Sequence, residues 1–370
     1  MSEPGLRVQA RVDLAAIRRN CELLVRAAPR SELCAVVKAD AYGHGALAVA
    51  RAARDGGARR LAVVDGVEAE QLRAGGVDGP LLVMGALTED GLRRALAAHA
   101  EVVVWDVRGL DAVRALGGGT VHVKLDSGMG RLGTRDAPTA TATVRAALDA
   151  PEIELAGLMT HFATADERDD GGFMDRQLAA FNEWAAPIKS EHPALILHAA
   201  NSAAVLRDDA THLDMVRCGI AVYGIDPFGV DGRAAGLEPA LELTSYVAQV
   251  KACRAGESAG YGRRFTAERD TNIAVVPVGY GDGWRRGLTN NGTVSIAGRP
   301  CPIAGTISMD SFTVDVGPDA GEELVGATVA LIGAGGPTAE EIAARLGTIG
   351  YEVTCALTAR VPRIHYGEPE

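Results

Sequence analysis

The chain has 370 residues, 47% of them hydrophobic and 23% charged, enough for two domains with packed cores. A formal net charge of −11 excludes an electrostatic case for nucleic acid or an anionic membrane surface as partner. No apolar run approaches the roughly 18 residues that span a bilayer.

The first residues, MSEPGLRVQARVDL, lack a basic segment followed by an apolar one, so no signal peptide is expected. The six cysteines are scattered without a C-x-x-C pair, which suits reduced thiols in a cytoplasmic protein better than disulfides or zinc. Short apolar runs then recur through the first 225 residues: LCAVV (33–37), LAVV (61–64), LLVM (81–84), EVVVW (101–105), VHVKL (121–125), IELAGLM (153–159), LILH (195–198) and LDMVRCGIAVYG (213–224). Between them lie Ala-, Arg- and Glu-rich stretches such as DGLRRALAAHA, which read as amphipathic helices. Continuous apolar strands alternating with helices predict a parallel sheet buried on both faces. Eight such units point to a (β/α)₈ TIM-type barrel over residues 1–235, with a doubly wound open sheet as the other solution. The segment PFGVDGRAAGLEP (227–239) reads as a linker. Beyond it, LELTSYVAQVKAC, NIAVVPVG, TVSIAG and SFTVDV alternate as half-buried strands, and TAEEIAARLG opens on a capping box at Thr338 and Glu341. Residues 236–370 are therefore expected to form a mainly-β domain, to which residues 5–12 are free to add a strand.

Lys38 follows the first apolar run directly, at the strand end where barrels place their active sites. A lysine there can form a Schiff base, since its pKa shifts readily with burial and charge; the plainer alternative is a surface lysine starting a loop. Arg131, His161, Asn201 with Ser202, and Arg217 to Ile220 follow or lie in the fifth to eighth runs, so polar groups gather at one end of the predicted barrel. Loops after the seventh and eighth strands commonly bind phosphate, which suits Ser202 and the amides of Gly219 and Ile220, although Ser202 also reads as a helix cap. Arg131 suits a carboxylate or a surface ion pair. IGAGG (332–336) lacks dinucleotide-fingerprint spacing, and the eight histidines form no H-E-x-x-H, so no metal is expected.

VVKADAYGHGA, around Lys38, resembles the cofactor-lysine motif of the alanine racemases. The likeness continues in register through KLDSGMGRLG, MTHFATADE, HAANSAA, DMVRCGIAVYG, SAGYGRRF, PVGYGDGW, GTISMDSF and GYEVTCALTARVPR, covering essentially the whole chain. It implies pyridoxal 5′-phosphate bound by Lys38, with Tyr42, Ser202, Gly219, Ile220 and Tyr351 near the phosphate, Asn201 and His161 in the cofactor site, and Arg217 facing the pyridine nitrogen. It implies Lys38 and Tyr261 as two bases that remove and return the α-proton on opposite faces, interconverting L- and D-alanine for peptidoglycan. Arg131, oriented by a Lys124 that the family often carries carbamylated, and Met309 are implied to hold the substrate carboxylate. The resembling enzymes pair head to tail, so the active unit is expected to be a homodimer in which Tyr261 and Met309 serve the partner's barrel. The sequence departs from the family at Thr306, Ser308 and Ser311, where many members carry arginine, cysteine and glutamine, and at Gly281, where alanine is common. The lost arginine belongs to the substrate channel, so access or selectivity is expected to differ. A broad-specificity or serine racemase is the nearest other reading; a basic amino-acid decarboxylase and a single-barrel cofactor carrier fit the strings around Tyr261, Met309 and Tyr351 less well.

Overall fold

The computed structural model describes residues 6–367. The chain divides into two compact units: Ile17–Ala41 with Ala46–Val222 form one, and the stretches before and between these, together with everything from Tyr223 onward, form the other.

The first strand, β1 (Gln9–Asp13), belongs to the second unit. The next eight, β2 (Glu32–Val36), β3 (Arg60–Val63), β4 (Leu81–Val83), β5 (Glu101–Val104), β6 (Gly119–Lys124), β7 (Ile153–Met159), β8 (Ile196–His198) and β9 (Met215–Cys218), close into a parallel barrel. Pairing of β9 with β2 from Glu32↔Met215 to Ala35↔Cys218 closes the ring and rules out the open sheet. The strands read as unbroken apolar runs because helices cover their outer face and side chains fill the interior; every residue of β3 and β4 is buried. Helices at Gly66–Ala74, Glu89–Ala97, Val107–Ala115 and Ala137–Asp149 start on Asp65, Thr88, Asp106 and Asp136, whose side chains accept from the amide three residues on. Each such cap contributes about 1 kcal/mol and fixes where a strand-to-helix loop ends.

The eighth apolar run is not one strand. Only Met215–Cys218 joins the barrel, and Ile220–Tyr223 winds into a 3₁₀ turn, because the amides of Gly219 and Ala221 turn toward the Ser202 hydroxyl.

In the second unit, β1 lies inside a six-stranded sheet, antiparallel to Leu241–Tyr246 and parallel to Arg363–Tyr366. The run LELTSYVAQVKAC splits into Leu241–Tyr246 and Gln249–Cys253, which join different sheets. The change occurs at Val247 and Ala248, whose amides donate to Ala327 in one direction and Val275 in the other. The capping box forms with both arms, Glu341 N–H to Thr338 Oγ1 at 3.2 Å and Thr338 N–H to Glu341 Oε2 at 2.9 Å. A second helix, Gly350–Cys355, accompanies it; its short GYEVTC sequence mixes glycine, aromatic and β-branched residues of low helix propensity and gives no periodic signal. Among the described residues, no helix is long and apolar enough to cross a membrane.

Candidate active site

Lys38 stands two residues beyond β2 and is half-buried. The four residues after it, Ala39, Asp40, Ala41 and Tyr42, all have φ between 51 and 55°. This is a left-handed turn, which costs non-glycine residues roughly 1–2 kcal/mol each. The surroundings hold it: Ala41 N–H donates to Val37 O (3.0 Å), Ala39 N–H to Glu68 Oε1 (2.6 Å), and Ala46 N–H to Asp40 Oδ1 (2.8 Å). Strain concentrated in one segment beside a candidate nucleophile is typical of a functional site. Gly43 ends the turn at φ 85°, where a Cβ would stand 2.3 Å from the Thr354 carbonyl oxygen.

The C-terminal ends of β6 to β9 bring together Lys124, His161, Ser202 and Arg217. Arg217 is 3% exposed. Its Nη1 lies 2.9 Å from His198 Nδ1, and its Nη2 lies within 3.1 Å of Thr160 O, Ala199 O and His161 Nδ1. Burial pulls this guanidinium down to about 10, still far above neutrality, so it remains a cation that can only donate. His161 Nδ1 must therefore accept, which places the ring proton on Nε2. Burial first, then the positive charges of Arg217, Lys124, Arg131 and Lys38, hold His161 well below the ordinary histidine value, so the ring is neutral. Lys124 is 4% exposed; burial, then Arg217 and Arg131, pull its amine down to about 8, with Asp126 opposing.

Asn201, not Ser202, caps the helix Ser202–Arg207, accepting from Ala204 N–H at 3.0 Å. The Ser202 hydroxyl is thus left to accept from the amides of Gly219 (2.9 Å) and Ala221 (3.3 Å). Both amides are spent on that oxygen, which leaves the hydroxyl proton of Ser202 to donate to an anion such as a phosphate. Arg131 lies exposed in the loop after β6. That loop is shaped by Asp126, which accepts from the amides of Gly128 (3.1 Å) and Gly130 (2.9 Å).

The remaining candidates lie in the second unit. Tyr42, buried, stands 4.9 Å ring to ring from Tyr223 and 5.9 Å from Tyr351. Tyr261 is 74% exposed and Met309 52%. The Tyr261 turn is framed by Gly260 and Gly262 at φ 73 and 72°. Thr306, where the family's channel arginine was expected, is buried at 3% exposure, and its hydroxyl donates to the Tyr261 carbonyl at 2.6 Å. A short hydroxyl side chain reaches that backbone oxygen and ties the two segments together.

A chain of polar residues escaped the sequence reading. His198, at the end of β8, faces Arg217; its Nε2 lies 2.9 Å from His122 Nδ1 in β6, and His122 Nε2 lies 2.8 Å from Glu101 Oε2 at the start of β5. Arg60 holds the other Glu101 oxygen and approaches Glu32 at 3.8 Å. The chain crosses the barrel interior from one end to the other. His122 and His198 sit in apolar runs and read there as strand residues, so only the closure of the barrel reveals them.

Comparison with known proteins agrees with this architecture. The family model described as "Alanine racemase, N-terminal domain" matches residues 12–227, and "Alanine racemase, C-terminal domain" matches residues 240–365. A protein named alanine racemase from Desulforamulus reducens is 38% identical over 99% of this chain and 100% of its own, and one from Thermobifida fusca is 39% identical over 97% and 98%. The crystal structure of alanine racemase from D-cycloserine producing Streptomyces lavendulae superposes with a TM-score of 0.92 at 37% identity, over 99% of both chains. With both domain models matched in order along one barrel and one mainly-β unit, the chain belongs to the alanine racemase family.

Proposed function

We propose that the protein interconverts L- and D-alanine with pyridoxal 5′-phosphate, acting in the cytoplasm as a homodimer and supplying D-alanine for peptidoglycan. The observation that carries this reading is the set of groups at the C-terminal end of the barrel: an amine at Lys38, a buried guanidinium at Arg217, and the Ser202 hydroxyl, whose oxygen accepts from two amides and whose proton is left to donate. These fit the cofactor. Lys38 would hold it through the amine; Tyr42, Ser202, Gly219, Ile220 and Tyr351 would bind its phosphate; Asn201 and His161 would line the site, and Arg217 would face the ring nitrogen. When bound, the cofactor supplies an electron sink that makes the amino acid's α-proton removable.

The protein's own part is to hold and move that proton. Lys38 takes or returns it on one face and Tyr261 on the other. A free tyrosine titrates near 10, so its use as a base requires nearby positive charge, and the Arg217–His161 pair, with His161 carrying its proton on Nε2, can donate toward a phenolate. Arg217, always a donor, opposes protonation of the ring nitrogen and so keeps the sink weak. That favours return of the proton to Cα over transfer elsewhere. Arg131 binds the substrate carboxylate, with Met309 beside it. The Lys124 amine, pulled down to about 8 by burial and two arginines, is more readily deprotonated than an ordinary lysine and so suited to capture carbon dioxide as a carbamate that orients Arg131.

The homodimer rests on the second unit's surface. Tyr261, Tyr280 and Met309 are exposed together, since Tyr280 N–H donates to Ser308 O and Gly281 N–H to Met309 O. Large apolar side chains gathered on a surface mark an interaction site. We assign the cofactor to the barrel that lies within residues 1–235, and the lending of Tyr261 and Met309 to a partner to the mainly-β domain of residues 236–370, whose sheet β1 joins.

Chiral analysis of the products from L-alanine and L-serine, with released carbon dioxide measured in parallel, tests the reaction. The expected result is D-alanine as the dominant product with no carbon dioxide. Equal turnover of serine favours the broad-specificity alternative, and gas release defeats racemisation altogether.

A further inference from the structure

The polar chain inside the barrel admits one self-consistent arrangement of protons. Arg217 can only donate, so His198 Nδ1 accepts from it at 2.9 Å. A neutral His198 then carries its proton on Nε2 and donates to His122 Nδ1 at 2.9 Å. His122 in turn carries its proton on Nε2 and donates to Glu101 at 2.8 Å. Reversing either ring sets two donors against each other at Arg217 or points a bare lone pair at a carboxylate. Both rings are kept neutral: burial holds His198 well below the ordinary value, and lowers His122 despite the attraction of Glu101. Burial alone would raise the Glu101 carboxyl, but the hydrogen bond from His122 and the charge and hydrogen bond of Arg60 outweigh it and keep it ionised.

We propose that Glu101 is a positioning residue for Arg217: by accepting from His122 at the far end of the barrel, it orders both imidazoles and so presents Arg217 with the lone pair that fixes its guanidinium. This rests on the reading of Arg217 as the residue facing the cofactor ring. Glu101 touches neither substrate nor cofactor; its influence passes through two neutral rings that tautomerise together or not at all. Residues at the closed end of such barrels ordinarily serve stability alone. Here the hydrogen bonds run unbroken from that end to the site.

The test uses holoenzyme with ¹⁵N-labelled histidine rings, comparing wild type, Glu101→Leu, Glu101→Gln and, as control, Glu32→Gln, which touches Arg60 but not the imidazoles. In the wild type, His122 and His198 are expected to be protonated on Nε2 alone. Glu101→Leu removes the acceptor, so the ring-nitrogen shifts of both histidines move, and kcat falls about 10–100-fold, the usual effect of losing an outer-shell partner, while KM changes little. Glu101→Gln keeps an acceptor, preserves the tautomers, weakens the charge-assisted bond so that the His122 Nε2 proton moves upfield, and loses activity only several-fold. Glu32→Gln leaves both readouts unchanged. Wild-type nitrogen shifts and kcat in Glu101→Leu, with only thermal stability reduced, overturn the proposal. If that variant does not fold, an unmoved Nε2 proton in Glu101→Gln overturns it equally. Failure of the wild type to racemise alanine defeats the functional reading instead, and the nitrogen shifts still decide the relay.

Discussion

Chains carrying Lys38→Ala and chains carrying Tyr261→Ala, each inactive alone, are expected to regain roughly a quarter of the native rate when mixed and allowed to exchange subunits. Random pairing makes half of the dimers mixed. Each mixed dimer has one site with both bases intact and one with neither, because in the proposed arrangement a site takes Lys38 from one chain and Tyr261 from the other. The structure motivates the experiment. Lys38 belongs to the barrel unit, whereas Tyr261 lies on the surface of the other unit at 74% exposure, on a turn tied down by the Thr306 hydroxyl. A base so exposed in a single chain has no shield from water, and a second chain would provide one. The effect of each single substitution is large, since groups acting together in one proton transfer do not contribute additively. The check is the rate of D-alanine formation after exchange, with exchange confirmed independently. No recovery would mean that both bases come from the same chain or that Tyr261 is not one of them.

The second large effect is on stability. His122, His161 and His198 are neutral in the native barrel, each held below the ordinary value first by burial. In the unfolded chain they titrate near 6.5. Below that pH the unfolded state binds up to three more protons than the native state, so stability must fall as pH drops, at up to roughly 4 kcal/mol per pH unit. The sign follows from the depressed native values: the contribution is complete above about 6.5 and is lost on acidification. Depressed carboxylates work in the same direction but begin lower. Asp282 is held down by Arg7 and by the Gly279 amide against the upward pull of burial, and it loses its contribution only in the ordinary carboxylate range. Urea midpoints at one chain concentration, between about pH 7.5 and 5.5, therefore isolate the histidines. A flat profile across that interval would show that the rings are charged in the native state, and with that the tautomer order along the barrel would fall.

How much of this was legible in the sequence depends on whether the information is local. The eight barrel strands were legible because a strand buried on both faces must be continuously apolar, whatever its neighbours. Thr338 and Glu341 were legible as a capping box because both partners lie within one turn. The left-handed turn at Ala39–Tyr42 was not, since alanine favours right-handed helix and the stabilising Glu68 lies 29 positions away. The chain through His122 and His198 was hidden for the same reason: its links join residues 19 to 76 apart. Ser202 illustrates the intermediate case. Its neighbourhood reads as a helix cap, and the helix is indeed capped, but by Asn201, which releases the Ser202 hydroxyl for the amides of Gly219 and Ala221.

The central claim is that Lys38 anchors the cofactor at the mouth of this barrel. The most direct test is borohydride reduction of the purified protein, followed by an absorbance spectrum and peptide mapping. The visible band of a cofactor linked to a lysine is expected to disappear, and a stable adduct is expected on the peptide containing Lys38. An adduct on any other lysine, Lys124 included, or no adduct in a protein that still racemises alanine, would contradict it.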